Sequence, residues 1–173
     1  MDFLFSKSQE MLQKSARDFL KKECGEMARE AEETPEGFFP EAYLKIADLG
    51  WLGVGIPEEY GGIGGDIVDA VILLEEMGRY IFPAPFISCL LNSGYLINVF
   101  GTKEQKETLL PGLVSGELKI VPAVISPNPA YGNIEVDDAF EETKDGFEFS
   151  GTRLFTFCKE CGFLFVLLIR QKK

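Results

Sequence analysis

Histidine is absent from this sequence, and positive charge is scarce. The 173 residues include 17 lysines and arginines against 28 aspartates and glutamates, which gives a net charge of −11. This charge argues against a nucleic-acid-binding protein, because few cations are available to neutralise backbone phosphates. The absence of histidine also removes the commonest general base from any catalytic mechanism.

Long apolar runs are missing as well. The longest, at 163–169, has the length of a strand, whereas a membrane-spanning helix needs about 20 apolar residues, so no membrane span is predicted. No signal peptide is recognised, and the scattered Cys24 and Cys89 favour a reducing cytoplasm without structural disulfides. Cys158 and Cys161 form a C-x-x-C pair. A metal or redox site is one interpretation of that pair, and two thiols in a strand connection is the simpler one, because no second pair and no histidine accompany it.

Apolar residues at helical spacing dominate the first two thirds of the chain. They predict one long amphipathic helix, with Gly25 as a candidate break, and four shorter helices, the last partly broken at Pro111 and Gly112. The predicted ranges are 3–33, 40–48, 66–79, 86–100 and 103–115. The helix at 66–79 is apolar around most of its girth, so we expect it to lie inside a bundle.

The pattern changes after residue 117. Short apolar or alternating runs predict strands at 118–125, 134–136, 144–149 and 163–169, and Asp145-Gly146 predicts a turn between two strand ends. We therefore predict an α+β chain, with an all-α helical bundle at 1–117 followed by a partial antiparallel β-domain at 118–173. So few short strands are expected to leave a sheet edge that must be covered or paired.

A glycine-dense loop joins the predicted helices at 40–48 and 66–79. The loop is LGWLGVGIPEEYGGIGG over 49–65, and the helix after it ends in EEMGR. Two further motifs follow, GTKEQK at 101–106 and LLPGLVSGE at 109–117. In their order and spacing these segments resemble the acyl-CoA dehydrogenase family, flavoproteins that desaturate acyl-CoA thioesters. The resemblance is strong to about residue 120 and loose beyond it.

The resemblance implies FAD as a cofactor. The family's flavin-contacting loop corresponds to 126–133, where the hydroxyl of Ser126 and the backbone of Val124 and Ile125 are the implied contacts, and a plain Pro-Asn turn is the alternative. Phe155 and Phe157 are the remaining implied cofactor contacts. Phe157 stands where the family has a small hydroxyl residue.

The resemblance also implies an acyl-CoA substrate. Its implied contacts in this chain are Phe82, Phe86, Leu90 and Ser126, although core packing alone also accounts for the three apolar residues. Trp51 is interpreted first as a core anchor between the glycine loop and the bundle.

No catalytic residue is assigned. The family's α-proton-abstracting glutamate lies on a C-terminal bundle to which the resemblance does not extend, and Glu75 and Glu76 are interpreted as helix-surface carboxylates near Arg79. The resemblance implies thioester desaturation with electron transfer to an electron-transfer flavoprotein. The chain would then be a shortened product, or would work in a homo- or hetero-oligomer with a fuller dehydrogenase subunit. The alternative is a non-catalytic scaffold or binding subunit.

Overall fold

Helices make up most of the described structure. The computed structural model describes residues 4–24, 27–123, 139–144, 146–150 and 163–166. Their helices are α1 (Lys7–Glu23), α2 (Met27–Ala31), α3 (Pro40–Asp48), α4 (Ile67–Arg79), a π-helix (Ile87–Gly94), α5 (Tyr95–Phe100) and α6 (Lys103–Val114). Among the residues described, no helix is both long and apolar enough to cross a membrane. The predicted helices at 40–48 and 66–79 are confirmed.

Local side-chain signals explain where three of the helices begin. A capping box starts α1, α4 and α6. In each box the N-cap side chain accepts a hydrogen bond from the backbone N–H three residues on, and the side chain of that third residue accepts one from the N-cap backbone N–H. The pairs are Ser6 with Gln9, Asp66 with Asp69, and Thr102 with Gln105. Each box satisfies two N–H groups that a helix leaves unpaired at its start.

The structure refines three sequence expectations about the helices. The helix predicted over 3–33 is two helices, α1 ending at Glu23 and α2 beginning at Met27, on either side of the candidate break at Gly25, which itself lies outside the described residues. The predicted helix at 86–100 is one helical run whose first half is π-helical. The predicted break at Pro111 is wrong: Pro111 lies in the last turn of α6, and its carbonyl still accepts the Ser115 N–H at 3.0 Å.

The hydrophobic core lies where α1, α3, α4, the π-helix and the first strand meet. Each contributes a fully buried apolar side chain, namely Leu20, Ile46, Leu73, Leu90 and Val121. Burying a side chain of this size is worth roughly 1.5–3 kcal/mol relative to leaving it in water. Trp51 is 3% exposed, and its ring meets that of Phe19 edge-on at 5.4 Å, which confirms its prediction as a core anchor.

Helix α4 has one buried side and one exposed apolar side. Ala70, Leu73 and Met77 face the core, whereas about half of the surface of Ile67 and Val71 is exposed. The prediction that α4 lies inside a bundle is therefore wrong for this second side within the described residues. An apolar face in the sequence does not by itself say how many neighbours surround a helix.

The glycine loop is a tightly packed unit. The N–H of Gly55 donates to the carbonyl of Gly64 at 2.7 Å, and that of Ile63 donates to the carbonyl of Gly53 at 3.0 Å. A Cβ on Gly62 would overlap the carbonyl of Ile56. Gly55 has a φ of +75° and lies against the hydroxyl of Tyr95, so a side chain there would be strained and would also clash.

The described strands form two pairs. Strands β2 (Ala139–Thr143) and β3 (Gly146–Ser150) make an antiparallel hairpin around the predicted turn. Strands β1 (Ile120–Ala123) and β4 (Phe163–Val166) pair in parallel, which differs from the antiparallel arrangement expected for the whole β-domain. The α+β fold class is confirmed, and the boundary at 117/118 stays a prediction. The predicted strand at 134–136 lies outside the described residues.

Candidate functional site

A cavity of about 460 Å³ lies between the turn after α2 and the start of the π-helix. It is lined by Glu36, Gly37, Phe38, Ala84, Pro85, Ile87, Ser88 and Asn92. Ligand pockets in proteins usually measure about 300–1,000 Å³ and combine apolar walls with a few polar groups. This cavity has both properties, so it is the candidate ligand site of the described structure.

The first wall is held in shape by Thr34. Its Oγ1 donates to the carbonyl of Ala31 at 2.8 Å and accepts the N–H of Gly37 at 3.0 Å, which closes a tight turn after α2. The turn brings Phe38 under the cavity, where this side chain is 3% exposed and its ring meets that of Tyr43 edge-on at 5.8 Å. The Nζ of Lys119 lies 5.8 Å from the centres of both rings. A cation therefore stands next to this wall.

The second wall is one side of the helical run that follows Pro85. Ile87, Ser88 and Asn92 line the cavity from this side. The side chain of Ile87 is half exposed, whereas Ser88 is 5% exposed. Ser88 and Asn92 are polar residues four positions apart in a mostly apolar helix. This spacing is visible in the sequence but was not used to predict a site.

Three of the four residues that the resemblance assigns to the acyl group lie on or just before this segment, away from the cavity. Phe82, Phe86 and Leu90 are all in the hydrophobic core, and none of them lines the cavity. Their role as ligand contacts stays a prediction. The resemblance assigned them because this part of the family's bundle borders the acyl chain, and their large apolar side chains are also what the core requires.

Three polar side chains of the cavity have no partner in the part of the chain that the structure describes. Neither Ser88 nor Asn92 makes a side-chain hydrogen bond, and Glu36 makes no ion pair. The hydroxyl of a nearly buried residue such as Ser88 is normally hydrogen-bonded. These three groups are therefore available to a ligand.

A buried carboxylate lies elsewhere, between α1 and α4. Glu76 is fully buried, and Arg17 binds both of its oxygens, Nη2 to Oε1 at 2.6 Å and Nε to Oε2 at 3.0 Å. Arg79 donates to Glu76 Oε2 at 3.2 Å and to the exposed Glu75 at 3.0 Å. The prediction that Glu76 is a helix-surface carboxylate is wrong, since the arginine that pairs with it most closely comes from a helix 59 residues away in the sequence.

The hydrogen bonds from Arg17 lower the pKa of Glu76 against the effect of burial, and Arg79 adds to this lowering. Glu76 is therefore held ionised and has no capacity left to take up a proton near neutral pH. The pair joins α1 to α4 and is structural.

The described residues contain no site for cysteine or metal chemistry. Cys24 and Cys89 are buried thiols outside any disulfide, and burial raises the pKa of Cys24 to about 11. No cluster of metal-ligating side chains occurs in the described ranges. Cys158 and Cys161 lie outside those ranges.

The implied flavin contacts also fall outside the described residues. These are Val124, Ile125, Ser126, Phe155 and Phe157. Strand β1 ends at Ala123, immediately before the first of them, and all four of its residues are buried. The flavin part of the site stays a prediction.

Comparison with known proteins identifies the helical part. The family model described as "Acyl-CoA dehydrogenase, N-terminal domain" matches residues 6–117. The acryloyl-CoA reductase (NADH) of Anaerotignum propionicum is 36% identical over 159 residues, which are 90% of this chain and 40% of that protein. The caffeyl-CoA reductase-Etf complex subunit CarC of Acetobacterium woodii is 38% identical over 127 residues, which are 71% of this chain and 33% of that protein.

The fold comparison agrees. The solved structure of the Tcur3481-Tcur3483 steroid ACAD G363A variant matches 92% of this chain and 44% of its own chain, with a TM-score of 0.81 and 28% identity. This chain thus spans less than half the length of the relatives that it matches. Because the family model covers more than half of the sequence and the helical architecture agrees with it, the chain belongs to the acyl-CoA dehydrogenase family.

Proposed function

We propose that this chain forms the N-terminal part of a flavin-dependent oxidoreductase that acts on the bond between the α- and β-carbons of an acyl-CoA thioester. The cavity beside the π-helix carries the proposal, because its apolar wall of Phe38, Pro85 and Ile87 suits an acyl chain and it lies within the matched domain. Two relatives are named as reductases of acryloyl-CoA and caffeyl-CoA, thioesters whose α,β bond is unsaturated. The proposal therefore covers both desaturation of the bond between the α- and β-carbons and its reduction.

Members of the family are FAD flavoproteins, and we extend this property to the chain as part of the proposal. FAD, when bound, supplies the hydride acceptor or donor. The hydroxyl of Ser126 and the backbone of Val124 and Ile125 would hold its polar edge, Phe155 would pack against its ring, and Phe157 would be the remaining contact. Phe82, Phe86 and Leu90 would support the acyl cavity from the core side, and Ser126 would also contact the acyl group.

The proposal assigns no catalytic base to this chain. The one carboxylate among the residues that line the cavity is Glu36, on the wall opposite the π-helix, and Glu76 is committed to its arginines. A fuller dehydrogenase subunit, in a homo- or hetero-oligomer, would supply the base, and an electron-transfer flavoprotein would exchange electrons with the flavin. A cytoplasmic location belongs to the same proposal.

Two measurements on the purified chain test the proposal. After incubation with FAD and removal of free cofactor, visible absorbance near one flavin per chain is expected. Calorimetric titration of that sample with butanoyl-CoA is expected to show binding. Ile87→Trp, which fills the cavity, should weaken thioester binding at least about tenfold, while Val99→Trp, at an exposed site on α5 away from the cavity, should not.

Failure of both ligands to bind would contradict the enzyme proposal and favour a non-catalytic binding subunit. Binding of the thioester that Ile87→Trp leaves unchanged would place the acyl group elsewhere. Thermal unfolding of both tryptophan variants controls for loss of folding.

A further inference from the structure

The cavity holds more hydrogen-bonding capacity than an unsubstituted alkyl chain can use. Ser88, Asn92 and Glu36 all line it, and none has a side-chain partner among the described residues. Resting on the proposed function, we infer that the acyl group bound in this cavity carries a hydroxyl substituent, which Ser88, Asn92 and Glu36 recognise.

Ser88 provides the first step. It is 5% exposed as a residue and lines the cavity, and its hydroxyl makes no side-chain hydrogen bond among the described residues, so a ligand in the cavity can supply its partner. A ligand that offers a hydrogen bond satisfies this group, whereas a purely apolar ligand leaves it unpaired. Sites of this kind discriminate strongly against analogues that lack the hydrogen-bonding group.

The charges around the cavity indicate which kind of substituent on the acyl group would bind there. The Glu36 carboxylate only accepts hydrogen bonds and repels an anionic substituent. Lys119, whose Nζ lies 5.8 Å from the centre of the Phe38 ring, is near that wall but does not line the cavity. Against the apolar walls a neutral hydrogen-bond donor loses less hydration than a cation, so a neutral group is favoured. A carbonyl cannot donate to Glu36, whereas a hydroxyl donates to Glu36 and accepts from Ser88 or from the Asn92 amide.

The other residues that line the cavity would surround the carbon skeleton of the acyl group. Phe38, Pro85 and Ile87 provide an apolar wall, and a cavity of about 150 Å³ already holds benzene. At about 460 Å³ this cavity has room for an aromatic or a short aliphatic acyl group together with its hydroxyl.

Matched ligand pairs test the inference on the whole chain incubated with FAD. One pair is 3-(4-hydroxyphenyl)propanoyl-CoA and 3-phenylpropanoyl-CoA, and the other is 4-hydroxybutanoyl-CoA and butanoyl-CoA. Isothermal titration is expected to show about five- to tenfold tighter binding of the hydroxylated member in at least one pair, the effect of one to two hydrogen bonds. Ser88→Ala and Asn92→Leu should each remove most of this preference.

Ser93→Ala is the matched control, because Ser93 is also a buried serine of the π-helix with an unpartnered hydroxyl but does not line the cavity. It should keep the full preference. Equal binding within both pairs overturns the inference and leaves the proposed function standing. A preference that survives both Ser88→Ala and Asn92→Leu overturns the assignment to these residues. If no thioester binds at all, the proposed function fails and the inference fails with it.

Discussion

The two sides of the helical segment after Pro85 have opposite surroundings. Phe86 and Leu90 are fully buried in the core, while Ile87, Ser88 and Asn92, one or two residues away in sequence, line a cavity. Helix α4 shows the same contrast on a smaller scale, since Glu75 is exposed and its neighbour Glu76 is fully buried. Adjacent residues of similar chemistry thus have different roles, and the direction in which a side chain points decides which role it has.

Shortening one side chain on each side of the π-helical run is the strongest test of this contrast. Phe86→Ala should lower the free energy of unfolding by about 3–5 kcal/mol, because it removes a large side chain from a packed core. Ile87→Ala removes a half-exposed side chain and should cost less than about 1 kcal/mol. Urea denaturation of both variants measures the difference, and equal losses would show that the two sides are not distinct.

The two carboxylates of α4 provide the next comparison. Glu76→Ala should destabilise the protein by about 2–3 kcal/mol, because it removes the buried link between α1 and α4, whereas Glu75→Ala should stay within about 0.5 kcal/mol. Arg17→Met leaves the buried carboxylate with Arg79 alone and should also destabilise. Combining Arg17→Met with Glu76→Met should recover part of that loss in chemical denaturation. If the changes in unfolding free energy of the two single variants simply add in the double variant, the two side chains do not interact.

The same pair predicts how stability depends on pH. The pKa of Glu76 in the folded protein lies below its ordinary value of 4.5, owing first to the hydrogen bonds from Arg17. The contribution of Glu76 is therefore fully present above about pH 4.5 and is lost as the pH falls through the folded-state pKa. Melting temperatures from pH 7 down to pH 3 should fall more steeply for the wild type than for Glu76→Gln. If the melting temperatures of the two proteins fall in parallel, Glu76 does not contribute to the loss of stability in acid.

The smallest expected effect separates the two serines of the π-helix. Ser93→Ala should raise the free energy of unfolding by about 0.5–1 kcal/mol, because its buried hydroxyl has no partner and alanine is the better helix former. Ser88→Ala should gain less, since its hydroxyl borders the cavity. Thermal unfolding without ligand measures both values, and a loss of stability in Ser93→Ala would reveal a partner for that hydroxyl.

Helix positions were largely predictable because their signals are local. Pro40 and the capping residue Asp66 mark the starts of α3 and α4, and the predicted bounds agree with the structure. The parallel pairing of β1 with β4 was not predictable, because it joins residues more than 40 positions apart and no local pattern records it. The cavity-lining side of the π-helical run was not picked out from the sequence for a related reason: burial in a core and contact with a ligand favour the same apolar residues.

The sequence by itself determined the family, the bounds of α3 and α4 and the glycine loop, since each of these depends on residue type and short spacing. Only the tertiary structure decided that Glu76 is buried between Arg17 and Arg79, and that Ser88 and Asn92 share a cavity with Glu36. Both arrangements unite residues from distant parts of the chain. Their chemistry depends on distance and solvent exposure, and these are properties of the packed structure.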